Sequence, residues 1–221
     1  MVPVTVHLIS GWSFPAMALQ PLAEALAPWP TRRYDAAQDT SRIPVEADDL
    51  LIGWSLGGLN IMARRYARAS CGRGIVLIGS TARFCRASDY DAGVEPSALR
   101  SMRSALRRGR RDMMLTHFYE QAGFQNPQSW CLAASGIDDE TLDNGLRELE
   151  ELDARDDLRD GSTPALILHG EHDRIIPVAA AHWLARELSQ AAVRIHPAAG
   201  HDLPLTHPDW VAEQIRDYFT R

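Results

Sequence analysis

Lysine is missing altogether: each of the 23 basic residues is arginine, a bias that points to coding composition before chemistry. Cysteine is scarce. Cys71, Cys85 and Cys131 form no close pair and leave an odd count, so neither a disulfide framework nor a zinc site is indicated, and all three are expected to be reduced. No apolar run approaches the length of a membrane span. The opening Met1-Val2-Pro3-Val4-Thr5-Val6 lacks the basic segment of an export signal, so the cytoplasm is the expected address. A net charge of −6 argues against general nucleic-acid binding. What is present is 221 residues with 45 % hydrophobic content, enough for one domain with a substantial core and an insertion.

Strand and helix patterns alternate over most of the chain. Val4 to Ile9 is a β-branched run that reads as a buried strand. Ala16 to Leu26 has helical spacing and is stopped by Pro28 and Pro30. Strands follow at Thr31 to Tyr34, from Leu50, and at Gly74 to Ile78, with a helix from Gly58 to Arg68. Beyond residue 160 come a strand at Ala165 to His169, a helix at Val178 to Leu188 and a strand at Ala192 to His196. Repeated βα units imply an α/β fold with a mostly parallel central sheet and helices on both faces. The alternation breaks between Arg83 and Arg159, where the sequence turns helical and charged. We read residues 1–82 and 160–221 as one core and 83–159 as a helical lid inserted into it.

Leu50-Leu51-Ile52 runs straight into Gly53-Trp54-Ser55-Leu56-Gly57, the strand, sharp turn and helix of a nucleophile elbow. Ser55 must adopt a strained conformation there, and a Cβ two residues before or after it would strike the neighbouring chain, which Gly53 and Gly57 avoid. A glycine-rich turn that merely contains serine is the plain alternative. An acid and a histidine further along the chain, in the order Ser, Asp, His, weigh against it.

Asp173 lies just past the apolar strand that ends at His169, 118 residues after Ser55, and is the expected acid; Glu171 is its local competitor. His201 comes after the last strand, 28 residues after Asp173, and is the expected base, since imidazole accepts and returns a proton near neutral pH. His169 and His172 resemble metal ligands in isolation, yet no further ligand cluster supports a metal site, and no cofactor is expected. The backbone N–H of Leu56, after the nucleophile, and that of Trp12, in the loop after the first strand, are the expected oxyanion donors. Trp12 also reads as an aromatic plug over the sheet edge.

Charge in the inserted segment is divided. Residues 97–117 carry six arginines against Asp112 alone, a formal +5, and residues 138–160 carry eleven acids against three arginines, a formal −8. Two solvated helix faces that partly pair with each other would explain this. An arginine face that receives an acidic partner or phosphate is the sharper reading.

These features together resemble the α/β-hydrolases and, within them, the pimeloyl-acyl-carrier-protein methyl ester esterases of biotin synthesis. The resemblance rests on Ser10-Gly11-Trp12, on Gly53 to Gly58, on Asn144-Gly145-Leu146 leading to Asp157-Leu158-Arg159, on Gly170-Glu171-His172-Asp173 and on Gly200-His201. Ser10 stands where members usually show histidine. The resemblance implies Ser-His-Asp cleavage of the methyl ester on a pimeloyl chain borne by acyl-carrier protein. It also implies that Trp12, Trp54 and Leu56 line the ester pocket with Phe118 from the lid. By charge rather than motif, Arg103, Arg107, Arg110 and Arg111 are the expected carrier-binding residues. The chain is expected to act as a monomer, without nucleic acid or membrane. A broad short-chain esterase or thioesterase and a non-catalytic ligand-binding relative are the alternatives.

Overall fold

The computed structural model describes residues 5–66, 71–158 and 162–220. Val4, the end of the helix expected to reach Arg68, and the lid boundary at 159 and 160 lie outside them. Six strands among these residues form one parallel sheet: β1 (Val6–Ile9), β2 (Thr31–Tyr34), β3 (Leu50–Trp54), β4 (Gly74–Ile78), β5 (Ala165–Gly170) and β6 (Ala191–His196), in the order β2-β1-β3-β4-β5-β6. The four inner strands are buried throughout. Each fully buried Leu or Ile, such as Leu51 and Ile75, contributes about 1.5–3 kcal/mol relative to exposure. Arginines (Arg32, Arg33 and Arg194) fall on the two edge strands, where long charged side chains blunt further strand pairing.

Helices cover both faces. α1 (Gln20–Ala25) packs against α9 (Pro208–Phe219), while α2 (Leu56–Ile61) follows β3 and α7 (Val178–Glu187) packs on β5 and β6. The short α8 (Leu203–Thr206) precedes α9. The strand order reverses between β1 and β3, so the crevice beyond their carboxyl ends is where a site is expected in such a sheet. The elbow helix begins at Leu56, two residues before the expected Gly58, and runs on as a wider π-type turn over Met62–Tyr66.

Between β4 and β5 the chain forms α3 (Pro96–Arg107), α4 (Arg111–Ala122), α5 (Pro127–Ala133) and α6 (Asp139–Glu151) and, among the described residues, adds no strand to the sheet. Local chemistry sets their limits. Pro96 and Pro127 open α3 and α5, where a missing N–H is harmless. Gly123 ends α4 at φ 108°, a conformation other residues resist. The Asp138 carboxylate caps α6, accepting from the Thr141 N–H at 2.7 Å. Both ends of this excursion meet at one neck: the Ala154 N–H donates to the Ala82 carbonyl at 2.8 Å, and Arg83 pairs with Asp153 at 2.7 Å.

Candidate active site

Loops leaving the carboxyl ends of β1, β3, β5 and β6 converge on one edge of the sheet. Ser55 follows β3 at φ 56° and ψ −119°, a region that ordinarily costs a non-glycine residue about 1–3 kcal/mol. Its N–H donates to the Ile78 carbonyl at 2.9 Å and the Ser80 hydroxyl donates to its carbonyl at 2.8 Å, so neighbouring β4 holds the strained turn. The flanking glycines are required by contact. A Cβ at Gly53 would lie 2.5 Å from Gly58, and one at Gly57 would lie 2.5 Å from the Ser10 carbonyl oxygen.

Ser55, His201 and Asp173 come together in a hydrogen-bonded chain. His201 Nε2 lies 3.0 Å from Ser55 Oγ, and His201 Nδ1 lies 2.7 Å from Asp173 Oδ2. The other carboxylate oxygen accepts the N–H groups of Ile175 and Ile176, each at 2.8 Å. Burial alone would push the Asp173 carboxyl up. The adjacent His201 ring, its hydrogen bond, His169 and the Ile176 N–H outweigh that and hold it below the usual carboxylate range. Glu171, the competing acid, is exposed and outside this chain of contacts.

Beside Ser55, the loop after β1 makes a tight turn in which the Phe14 N–H reaches the Gly11 carbonyl at 3.2 Å. Ser13 is held at φ 65°; it and Ser55 are the described non-glycine residues with positive φ. Gly11 runs so close to the elbow that a Cβ there would be 3.2 Å from Ser55 Cβ. Ser10 braces this loop from within: its hydroxyl donates to the Phe14 carbonyl at 2.7 Å and accepts the Ala36 N–H at 3.2 Å. Among the described residues, the loop and turn hydrogen bonds include none donated by the N–H of Trp12 or of Leu56.

An apolar cavity of about 590 Å³ opens from Ser55, walled by Phe84, Leu99, Met102, Met114, Phe118 and Leu149 among others. Trp12 lines it too, its ring 4.9 Å from Phe118 in an edge-to-face contact and its indole N–H donating to the Leu142 carbonyl at 2.9 Å. Trp12 also borders a second, more polar cavity of about 900 Å³. Ser101 and Ala105 are shared with a surface groove of about 410 Å³ that Arg100, Arg108 and Arg110 line.

The structure corrects four of the expected contacts. Trp54 is fully buried beneath the site and does not line the Ser55 cavity; its ring packs 4.3 Å from Phe14. The Leu56 side chain borders the second cavity instead of the first. Arg103 is turned inward, with Nε 2.9 Å from Asp143 and Nη1 2.9 Å from Glu150 on α6. Arg111 donates to Asp139 at 2.6 Å and to the carbonyls of Ala134 and Ile137. The two charged segments therefore pair with one another in part, while Arg107 and Arg110 stay exposed. Of the apolar walls, Phe118 is expected from the sequence, whereas Leu99, Met102 and Met114 are not. Their helical spacing in α3 and α4 is a signal, but spacing alone does not say which neighbour a stripe faces.

Among the described residues, no group of three or more His, Cys, Asp and Glu side chains is placed to hold a metal ion, and no helix is long and apolar enough to cross a membrane.

Residues 8–214 match the Alpha/beta hydrolase family. The chain is 30 % identical to a pimeloyl-[acyl-carrier protein] methyl ester esterase of Nitrosomonas europaea, over 71 % of this chain and 66 % of that protein. It is 26 % identical to the esterase of the same name from Xanthomonas axonopodis pv. citri, over 96 % of this chain and 93 % of that one. Among solved structures, an esterase from Exiguobacterium antarcticum superimposes with a TM-score of 0.86 at 16 % identity, covering all of this chain and 93 % of that one; at that identity the likeness speaks for the fold.

Proposed function

Since the chain belongs to the α/β-hydrolase family, we propose that it is a carboxylic ester hydrolase in which Ser55 is the nucleophile, His201 the base and Asp173 the residue that orients and balances it. The supporting observation is the Asp173–His201–Ser55 chain of contacts, 2.7 and 3.0 Å, opening on an apolar cavity.

Ser55 Oγ attacks the ester carbonyl carbon as His201 Nε2 takes its proton. The carbonyl oxygen becomes an oxyanion held by the N–H groups of Leu56 and Trp12. Collapse of the intermediate breaks the bond to the alcohol oxygen, which receives the proton from His201 and leaves as free alcohol. Water, deprotonated by His201, then attacks the acyl-enzyme and regenerates Ser55. The positive end of α2, whose first residue is Leu56, favours the same negative charge.

For the substrate, we propose the methyl ester of an acyl chain carried by acyl-carrier protein, on the strength of the relatives' names and of an apolar cavity adjoining an arginine-lined groove. The acyl chain lies among Phe118, Met102 and Met114, with the acidic carrier at Arg100, Arg107, Arg108 and Arg110. Arg103 and Arg111 instead hold the inserted helices, 83–158 acting as the lid. We place the reaction in the cytoplasm, on a monomer. A broad short-chain esterase is the second reading, favoured by the internal pairing of Arg103 and Arg111.

The test compares pimeloyl-carrier methyl ester with p-nitrophenyl butyrate, for wild type and for an Arg100/Arg107/Arg108/Arg110→Ala variant. Loss confined to the carrier-linked substrate, reproduced by added salt, supports carrier docking. Equal response of both substrates leaves the short-chain esterase, and no turnover of either by wild type overturns the esterase reading.

A further inference from the structure

A second histidine touches the Asp173 carboxylate. His169, in the fifth position of β5, is fully buried, and its Nε2 lies 2.9 Å from the Ile176 carbonyl oxygen and 3.3 Å from Asp173 Oδ2. A carbonyl oxygen only accepts, so Nε2 carries a proton. The other ring nitrogen, Nδ1, is buried with no partner; a proton there would have no acceptor. The ring is therefore the neutral Nε2–H tautomer. Desolvation presses in the same direction and holds His169 below the ordinary histidine range, against the opposing pull of Asp173 and the Ile176 carbonyl.

We infer that His169 is a positioning residue for the reaction: its one N–H donates to the Ile176 carbonyl, and the N–H of Ile176 holds Asp173 Oδ1, so the ring fixes the carboxylate that orients His201. This rests on the esterase reading of Ser55 and His201. The geometry around it is tight. Asp173 Oδ1 is held by the Ile175 and Ile176 N–H groups, so residue Ile176 contacts Asp173 through its N–H and His169 through its C=O. A Cβ on the adjacent Gly170 would fall 2.4 Å from the carbonyl oxygens of Ala199 and Gly200, which brings the end of β5 directly beneath the His201 loop. The ionisable groups that face His169 are Asp173 on its own loop, His201 after β6 and His182 on α7.

Neutrality matters as much as contact. A cationic His169 would offset the Asp173 charge and weaken its hold on an imidazolium at His201. A neutral ring that holds Ile176 in place and lies 3.3 Å from Oδ2 steadies the carboxylate while leaving most of its field for His201. Removing the N–H dipole beside Oδ2 leaves the carboxylate less compensated. Protonated His201 is then favoured, and the acid limb of the kcat/KM profile moves to higher pH.

The experiment compares wild type with H169L, which removes the donor at similar volume, and with H169Q, whose amide nitrogen reaches the position of Nε2. Two readings are taken: the pH profile with p-nitrophenyl butyrate and an NMR titration of the His201 ring. In H169L we expect kcat to fall about tenfold with little change in KM, and both readings to shift upward by about half a pH unit; H169Q returns them toward wild type. Readings in H169L that superimpose on wild type overturn the inference, whatever happens to its melting temperature. Should H169L fail to fold, the same readings on H169N decide, because the shorter amide stops short of the Ile176 carbonyl. The ring titration needs no turnover, so it separates failure of this inference from failure of the esterase reading.

Discussion

The indole N–H of Trp54 donates to the backbone carbonyl of His201 at 2.9 Å, across 147 residues of sequence. A side chain next to Ser55 thus fastens the loop that carries His201, and the two rings lie 5.8 Å apart. Trp54→Phe keeps the packing and deletes the bond, leaving a buried carbonyl unsatisfied at a cost of about 1–3 kcal/mol. We expect kcat to fall about tenfold with KM within twofold, checked by steady-state kinetics beside a denaturant melt; a change in KM alone would restore Trp54 to the substrate pocket.

Strain at Ser55 has its own signature. Ser55→Ala removes the proposed nucleophile and keeps the strained backbone, so activity is expected to disappear while stability changes little. Ser55→Gly removes the strain as well, and relief of about 1–3 kcal/mol exceeds or matches the roughly 1 kcal/mol entropic penalty of glycine. Both variants are expected to be inactive, with S55G at least as stable as S55A by thermal denaturation. A clearly less stable S55G would show that the elbow is not strained.

The arginines divide by environment. Arg103 is 21 % exposed and bridges Asp143 and Glu150, so Arg103→Ala strands two carboxylates against each other and is expected to lower stability by about 1–3 kcal/mol. Arg107→Ala and Arg110→Ala, on open surface, should stay within about 0.5 kcal/mol. Thermal melts of the three variants check this.

Asp202, next to His201, supplies a pH test. Burial raises its carboxyl above the usual range, against the N–H groups of its own residue and Gly200 and against His201 and His207. A native-state value above the unfolded one of about 3.9 means that folding is favoured most below that value and loses stability as pH rises through the native one. Asp202→Asn keeps an acceptor and removes the charge. We expect it to be more stable than wild type at pH 7 and unchanged near pH 3, read from melting temperature against pH.

Local patterns carry much of this structure in the sequence. β2 and β4 begin and end where their residue types change, and the elbow with its two loop partners depends on chain ends that a parallel sheet must bring to one edge. Pairings between distant helices are not legible. Nothing near Arg103 announces Asp143 or Glu150, since that contact exists only once α3 lies on α6. Trp54 misleads for a related reason: adjacency to Ser55 in sequence suggests a shared pocket, whereas the turn at Ser55 sends the two side chains to different sides. α9, absent from the expected elements, does carry a local signal, for Pro208 opens it and Val211, Ala212, Ile215 and Phe219 recur at helical spacing on its buried face.

The neck at Ala82 and Ala154 has a consequence for how such a chain can change. Because the excursion leaves and rejoins the sheet at one point, its replacement by a different set of helices alters no strand register. Ser55, Asp173 and His201 all lie outside it. Exchange of this single cassette of sequence therefore leaves the proposed reacting groups untouched.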